Sequence, residues 1–241
     1  KLRFIAHNPT GEFFKYLSFW PFYLITIILS ITISFLFIRY ADYKYETIAK
    51  IEVLDKSQDS EMALPTSMTI FNRSMINLEN EIGILTSYTL HEKVVKELNS
   101  NINYYSIGNI KTNQKHSSEW FDDYDLNFKI DTDTLKVTYT NVIETFEDGK
   151  FSVEVYKNDE FVNVYNFENG TSKGLNHDML FDLTFNKFQP NQKRVLKLKD
   201  LNSSVNYFKG LTKISEIGQD SDLLKISIIS PNKKIAQEYI N

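Results

Sequence analysis

The 241-residue chain contains no cysteine, which excludes a disulfide scaffold and any zinc site built on thiolates. Histidine is nearly as scarce, with 4 residues spread as His7, His91, His116 and His177. His91-Glu92 lacks a second histidine four residues on, so the helical zinc-protease motif is absent, and each histidine reads as an ordinary surface or loop residue. Glycine is limited to 8 residues, and the one Gly-Lys pair, Gly149-Lys150, is followed by Phe151 rather than Ser or Thr. A phosphate-binding loop, in which backbone N–H groups and a lysine converge on phosphate, is therefore missing. An excess of one charge is lacking too: the net charge of −4, with both signs interspersed, provides no basic field and argues against a nucleic-acid partner. No catalytic, cofactor-binding or metal-ligating set emerges from these residue types.

What the chain does have is an uncharged run from Leu17 to Ile38, LSFWPFYLITIILSITISFLFI, flanked by Lys15 and Arg39. As a helix it measures about 33 Å, enough for a bilayer core of about 30 Å. A buried core helix is disfavoured because apolar runs inside soluble folds seldom exceed about 10–14 residues. A cleaved signal peptide is disfavoured because the run is too long and no small-residue cleavage site follows. Aromatic residues sit at both ends, Phe19, Trp20, Phe22 and Tyr23 against Phe35, Phe37, Tyr40 and Tyr43, as interfacial belts do. Pro21 falls in the first turns, where its missing N–H costs little. Lys1, Arg3 and Lys15 on one side face Arg39, Lys44, Lys50 and Lys56 on the other, so charge does not assign an orientation.

Residues 1–16 read as a juxtamembrane segment, with a turn at Asn8-Pro9-Thr10-Gly11 before an aromatic lead-in. Tyr45 to Leu54 alternates apolar and polar, the mark of a half-buried strand, and residues 55–75 read as a long loop. Leu78, Ile82 and Leu85 share one helical face. Ser87 then caps a second helix through Leu98, with Glu92 and Lys96 as an outward pair. An extended piece is expected over residues 104–111. From Trp120 to about Leu198 short strands alternate with turns: residues 126–131, 135–140, 151–156, 161–167 and 180–185. Asp148-Gly149 and Asn169-Gly170 supply the hairpin turns. A helix is expected over Asp200 to Lys209, an extended stretch over Leu211 to Glu216, a strand over Leu223 to Ser230, and a helix opened by Pro231 at its first position. The expected fold class is α+β, membrane-anchored, with Tyr45–Leu54 pairing with Leu223–Ser230 near the membrane and the β module between them as an insertion. The absence of an initial Met and the helical pattern at the end suggest a piece of a longer protein.

Acidic groups at Asp122, Asp123 and Asp125, and at Asp220 and Asp222, lack the spacing of a calcium loop and read as solvated surface. Trp120, Phe121 and Tyr124 could stack on sugar rings, yet a plug for the β module's core is the stronger reading. The 14 tyrosines are dispersed, so packing explains them better than phosphorylation does. The sequons at Asn72, Asn169 and Asn202 are no more than an Asn-rich chain produces by chance. The helix from Asn80 to Ser87 mixes apolar and polar residues; Asn80, Glu81, Ile82 and Leu85 are candidate contacts between subunits, with packing inside one subunit the equal alternative.

The stretch Asn80-Glu81-Ile82-Gly83-Ile84-Leu85-Thr86-Ser87, the helix ending Val94-Val95-Lys96-Glu97-Leu98 and the following Asn103-Tyr104-Tyr105 resemble the Wzz-type chain-length determinant domain of polysaccharide co-polymerases. Arg39-Tyr40 leading into Tyr45–Ile51, and the closing Leu223–Ala236, are similar to the same family in the same order. The resemblance covers about residues 12–110 and 200–241, and the composition and inserted module look most like the Bacteroidota branch. It implies an inner-membrane protein with cytoplasmic termini and a periplasmic domain. In domain terms it implies a juxtamembrane segment at 1–16, a span at 17–38, a Wzz-like α/β base at 45–119 and 199–241 leading into a long helix, and the β insertion at 120–198. It further implies a homo-oligomer, expected as an octamer, acting with a polysaccharide polymerase and an outer-membrane exporter on capsule or exopolysaccharide chain length. Members of this branch commonly continue into a tyrosine autokinase, which would bring ATP and Mg; no such motif is visible in this chain, which requires no cofactor. Two alternatives stay open: the regulatory half of such an autokinase, and a membrane-anchored sensor domain with a different output.

Overall fold

The computed structural model describes residues 19–41, 43–53, 78–108, 111–175, 177–218 and 223–241. Two units are distinguished, one ending at Asp42 and one spanning Tyr43–Asn241. In the first, helix α1 (Trp20–Tyr40) has Pro21 in its opening turn and Arg39 in its last. It is apolar on every face and none of its residues is buried, so it is long and apolar enough to cross a membrane. Both of its threonine hydroxyls are satisfied within the helix, Thr26 Oγ1 donating to the Tyr23 carbonyl and Thr32 Oγ1 to that of Ile28, both at 2.8 Å. That is the arrangement a hydrocarbon surrounding demands. The helix runs two residues past Ile38, and Leu17 lies outside the described residues.

The second unit contains two hydrophobic cores. The smaller belongs to a three-stranded antiparallel sheet ordered β1 (Tyr45–Glu52), β11 (Leu223–Ser230), β10 (Thr212–Glu216). The expected pairing of the first and last strands is present along their whole length, from Tyr45 opposite Ser230 to Glu52 opposite Leu223. Three helices carry its apolar stripe: α3 (Tyr88–Glu97), α4 (Leu201–Leu211) and α5 (Lys233–Ile240). Residues 78–85, here α2, are also helical. Val95, Val205, Phe208, Ile228, Ala236 and Tyr239 form the buried centre, with the Phe208 and Tyr239 rings stacked at 4.5 Å. Side-chain caps start these helices where the sequence places them. Ser87 accepts from the Leu90 N–H and Asp200 from the Ser203 N–H, each satisfying a donor that a helix start leaves open. The last helix differs from expectation. Its N-cap is Asn232, whose side chain accepts from the Lys234 and Ile235 N–H groups, so Pro231 stands ahead of the helix rather than inside its first turn.

The larger core lies in a two-layer sandwich. One layer is a six-stranded sheet ordered β3 (Thr112–Lys115), β2 (Ile102–Ile107), β9 (Lys193–Leu198), β5 (Tyr139–Thr145), β6 (Phe151–Lys157), β7 (Glu160–Phe167). The other is the pair β4 (Asp123–Phe128) and β8 (Phe181–Lys187). Alternation sends Ile143, Val153, Leu196 and Leu198 inward to meet Trp120, Phe181 and Leu183. The sheet takes in β2 and β3, so the β-rich region begins near Ile102 and not at Trp120. Ile102 and Tyr104 pack on the sandwich core with Leu196 and Leu198, which is why that strand leaves the base. The strand expected at 135–140 is displaced to Tyr139–Thr145. Ahead of it Asp131 caps a 3-10 turn over Thr132–Thr134, accepting from the Asp133 N–H at 3.0 Å. Asp148 and Gly149 have φ of 60° and 72°, the positive pair that a tight hairpin requires. Asn169-Gly170 adopts the same geometry at 58° and 66° but joins no paired strands: the Gly170 N–H donates to the Gly149 carbonyl at 2.7 Å. The second tight hairpin is instead Asn158-Asp159, with φ of 49° and 66°.

Candidate functional site

Within the second unit, a cleft of about 480 Å³ lies where the end of α3, strands β2 and β3 and helix α5 converge. One wall is made by the termination of α3. Asn99 takes a left-handed φ of 49°, as asparagine does past a helix end, while the Asn99 and Ser100 N–H groups close onto the Lys96 and Val95 carbonyls at 3.2 and 2.9 Å. The floor is Asn103 and Tyr104 of β2. Asn103, 5% exposed, accepts from Gln114 Nε2 at 3.0 Å and donates to the Asn101 carbonyl at 3.3 Å. Burial pushes the Tyr104 hydroxyl up to about 12, so it stays a neutral hydrogen-bonding group.

The opposite wall is the stretch after β3, braced to α5 by polar contacts far apart in sequence. His116 Nδ1 accepts from the Ser118 N–H at 3.2 Å, which puts the ring proton on Nε2, facing the Glu238 carboxylate with both oxygens at 2.9 Å. Lys234 pairs with Glu119 at 2.7 Å, and this ammonium holds the Glu119 carboxyl below its ordinary value. Asn232 Nδ2 reaches the Gln114 carbonyl at 3.4 Å. The cleft is therefore a joint between the helical base and the sandwich, lined by amides, carboxylates, the Lys115 ammonium and the His116 imidazole, with Tyr104, Phe128 and Phe208 as apolar surface.

The sequence-based candidates fall elsewhere. On α2, Leu78 is buried, Ile82, Leu85 and Glu81 are half-buried, and Asn80 is exposed; the most exposed apolar residue of that helix is Ile84, at 56%. Trp120 and Phe121 fill the sandwich core, as expected, with ring centroids 4.8 Å apart. Asp122 pairs with Lys187 at 3.3 Å, and Asp123 and Asp125 both accept from Asn186 Nδ2, so these acids bond among surface side chains. Asp220 and Asp222 lie outside the described residues, as do Asn72 and His7. Among the described residues no group of three or more His, Asp or Glu is arranged to hold a metal.

Two histidines are not surface residues. His91 is 4% exposed, its Nδ1 2.7 Å from the Tyr239 hydroxyl, because α3 turns that face onto α5. Burial, and then the Lys209 ammonium, push His91 below its ordinary value. The His177 side chain is 2% exposed, 3.1 Å from Asp182 and 3.1 Å from the Ser172 carbonyl, enclosed with the Tyr165 and Phe167 rings. The cleft residues carry no local motif; Asn99 and His116 become neighbours of Glu238 only through the fold.

No protein-family model matches the chain, and no curated protein matches it by sequence.

Proposed function

We propose that this chain is the membrane-anchored scaffold part of a polysaccharide co-polymerase, in which several copies assemble beside a growing glycan and govern its length and export. The supporting observation is the closure of the second unit on its own ends. Strand β1 begins at Tyr45, shortly after α1 ends at Tyr40, and pairs fully with β11, which passes directly into α5. Entry and exit of the domain thus share one sheet. This pairing suits a domain suspended between two membrane spans, since the strand that follows α1 and the strand that leads into α5 lie side by side. On this reading the domain is periplasmic, α1 lies in a bacterial inner membrane, and a polymerase and an outer-membrane exporter are the partners. If an autokinase follows in the full-length protein, this part is its regulatory half, and ATP and Mg belong to the kinase.

Assembly is the test. Native mass spectrometry of the detergent-solubilised full-length protein is expected to give a closed oligomer well above a dimer, an octamer by resemblance. A monomer or simple dimer under mild conditions overturns the reading and favours a sensor. In cells, deletion of the gene is expected to broaden or shift the length distribution of one surface polysaccharide on gels.

A further inference from the structure

The cleft between α3, β3 and α5 has a size and a lining that the scaffold role does not use. Its volume of about 480 Å³ lies within the range of roughly 300–1,000 Å³ typical of small-molecule sites. Three amides, Asn99, Asn103 and Gln114, line it, and an amide side chain offers both donors and an acceptor. Gln114 directs Nε2 at Asn103, leaving its Oε1, together with the side chains of Glu97 and Asn99, without a hydrogen-bond or ion-pair partner among the described residues. Glu97 and Glu238 stand against the Lys115 ammonium and the His116 Nε2–H, so the lining carries a single excess negative charge and no strong field of either sign. The C-terminal end of α3 adds partial negative charge, which disfavours phosphates and other anions. Tyr104 and Phe128 offer ring surface beside these polar groups. Hydroxyl acceptors, amides with both functions and an aromatic wall, without a strong field of either sign, match a polyhydroxylated neutral ligand.

We propose that this cleft binds a neutral saccharide unit whose hydroxyls bond to Glu97, Asn99 and Gln114 and whose ring packs on Tyr104, an inference that rests on the polysaccharide reading for the choice of saccharide. The test is calorimetric titration of the full-length protein in nanodiscs with neutral tetrasaccharides of glucose, mannose, galactose and N-acetylglucosamine. Tetragalacturonate and spermine serve as the anionic and cationic arms. At least one neutral tetrasaccharide is expected to bind, and the pair Glu97→Gln with Asn99→Gly to weaken it tenfold or more. Both positions are exposed and glycine tolerates the left-handed φ at 99, so these changes leave the fold intact; Gln114→Ala is the independent second variant. Glu160→Gln, on the opposite edge of the six-stranded sheet, is expected to leave binding unchanged. Failure of all four neutral sugars, binding insensitive to both cleft variants, or tighter binding of tetragalacturonate or spermine overturns the inference. An oligomer that binds no sugar removes this inference and leaves the scaffold reading, whereas a monomer that binds sugar does the reverse.

Discussion

Trp120 has no exposed surface, donates its indole N–H to the Tyr105 carbonyl at 3.2 Å, and meets Tyr104, Phe121 and Tyr124 edge-on at 4.8 to 5.4 Å. Replacing it by alanine removes the centre of the sandwich and leaves a cavity that rigid strands cannot close. The expected loss is about 3–5 kcal/mol, read as a lower midpoint in urea unfolding. His91 makes a different kind of contribution. Its folded value lies below that of the unfolded chain because burial, then Lys209, disfavours the charged ring. A group depressed in the folded state stabilises above the unfolded value of about 6.5 and loses that contribution as pH falls through the folded value. The unfolding midpoint is therefore expected to drop on acidification below about pH 6.5, and His91→Gln to flatten that part of the profile; an unchanged profile would refute the assignment. Neither residue could have been ranked this way from sequence. Trp120 was legible as a core plug because aromatic residues cluster around it, but the burial of His91 depends on Tyr239, whose neighbourhood is created only by packing of α3 on α5.

At the level of elements, local chemistry carried most of the prediction where the signal lay in adjacent residues. The Ser87 cap, the Asp148-Gly149 turn and the strands at Tyr45–Glu52 and Leu223–Ser230 all act through neighbours in the chain and appear as expected, except that Tyr45, Ile48 and Ile51 of the first strand are exposed rather than half-buried. The misplaced features depend on distant partners: β2 joins the sandwich because β9 offers it Leu196 and Leu198, and Asn169-Gly170 docks on Gly149 instead of closing a hairpin. The cleft is of mixed kind: residues 97–117 supply most of its lining, and Phe208, Ile235 and Glu238 close it from far along the chain. Two substitutions separate these effects. Gly149→Ala meets no close contact, its added carbon lying 3.6 Å from the nearest atom, but φ is +72°; the strained backbone is expected to cost about 1–2 kcal/mol. Gly210 in α4 lacks both obstacles, with open space around it, so Gly210→Ala is expected to stabilise by roughly 0.5–1 kcal/mol through helix propensity. Opposite shifts of the urea midpoint for two glycine-to-alanine changes check both claims, and shifts of the same sign would contradict one of them.

For the whole molecule, the open matter is whether α2 belongs to one subunit or is shared between two. Leu78 is buried and Ile82 and Leu85 are half-buried, so the apolar face of this helix is already committed within the chain, and only Ile84, at 56% exposure, projects a large apolar side chain. A lone exposed isoleucine needs no explanation in a monomer; in an oligomer it sits where a neighbour would bury it, beside the exposed Asn80 and half-buried Glu81. Ile84→Asp distinguishes the two cases because it removes little within the subunit. Its effect on the stability of the isolated subunit is expected to stay within about 0.5 kcal/mol, while a charge placed in a subunit contact must be desolvated without a partner. If α2 contributes the contact, native mass spectrometry of the Ile84→Asp protein will show the distribution shifted from the closed oligomer to smaller species at equal concentration. An oligomer that persists unchanged assigns α2 to internal packing and moves the contact to another face.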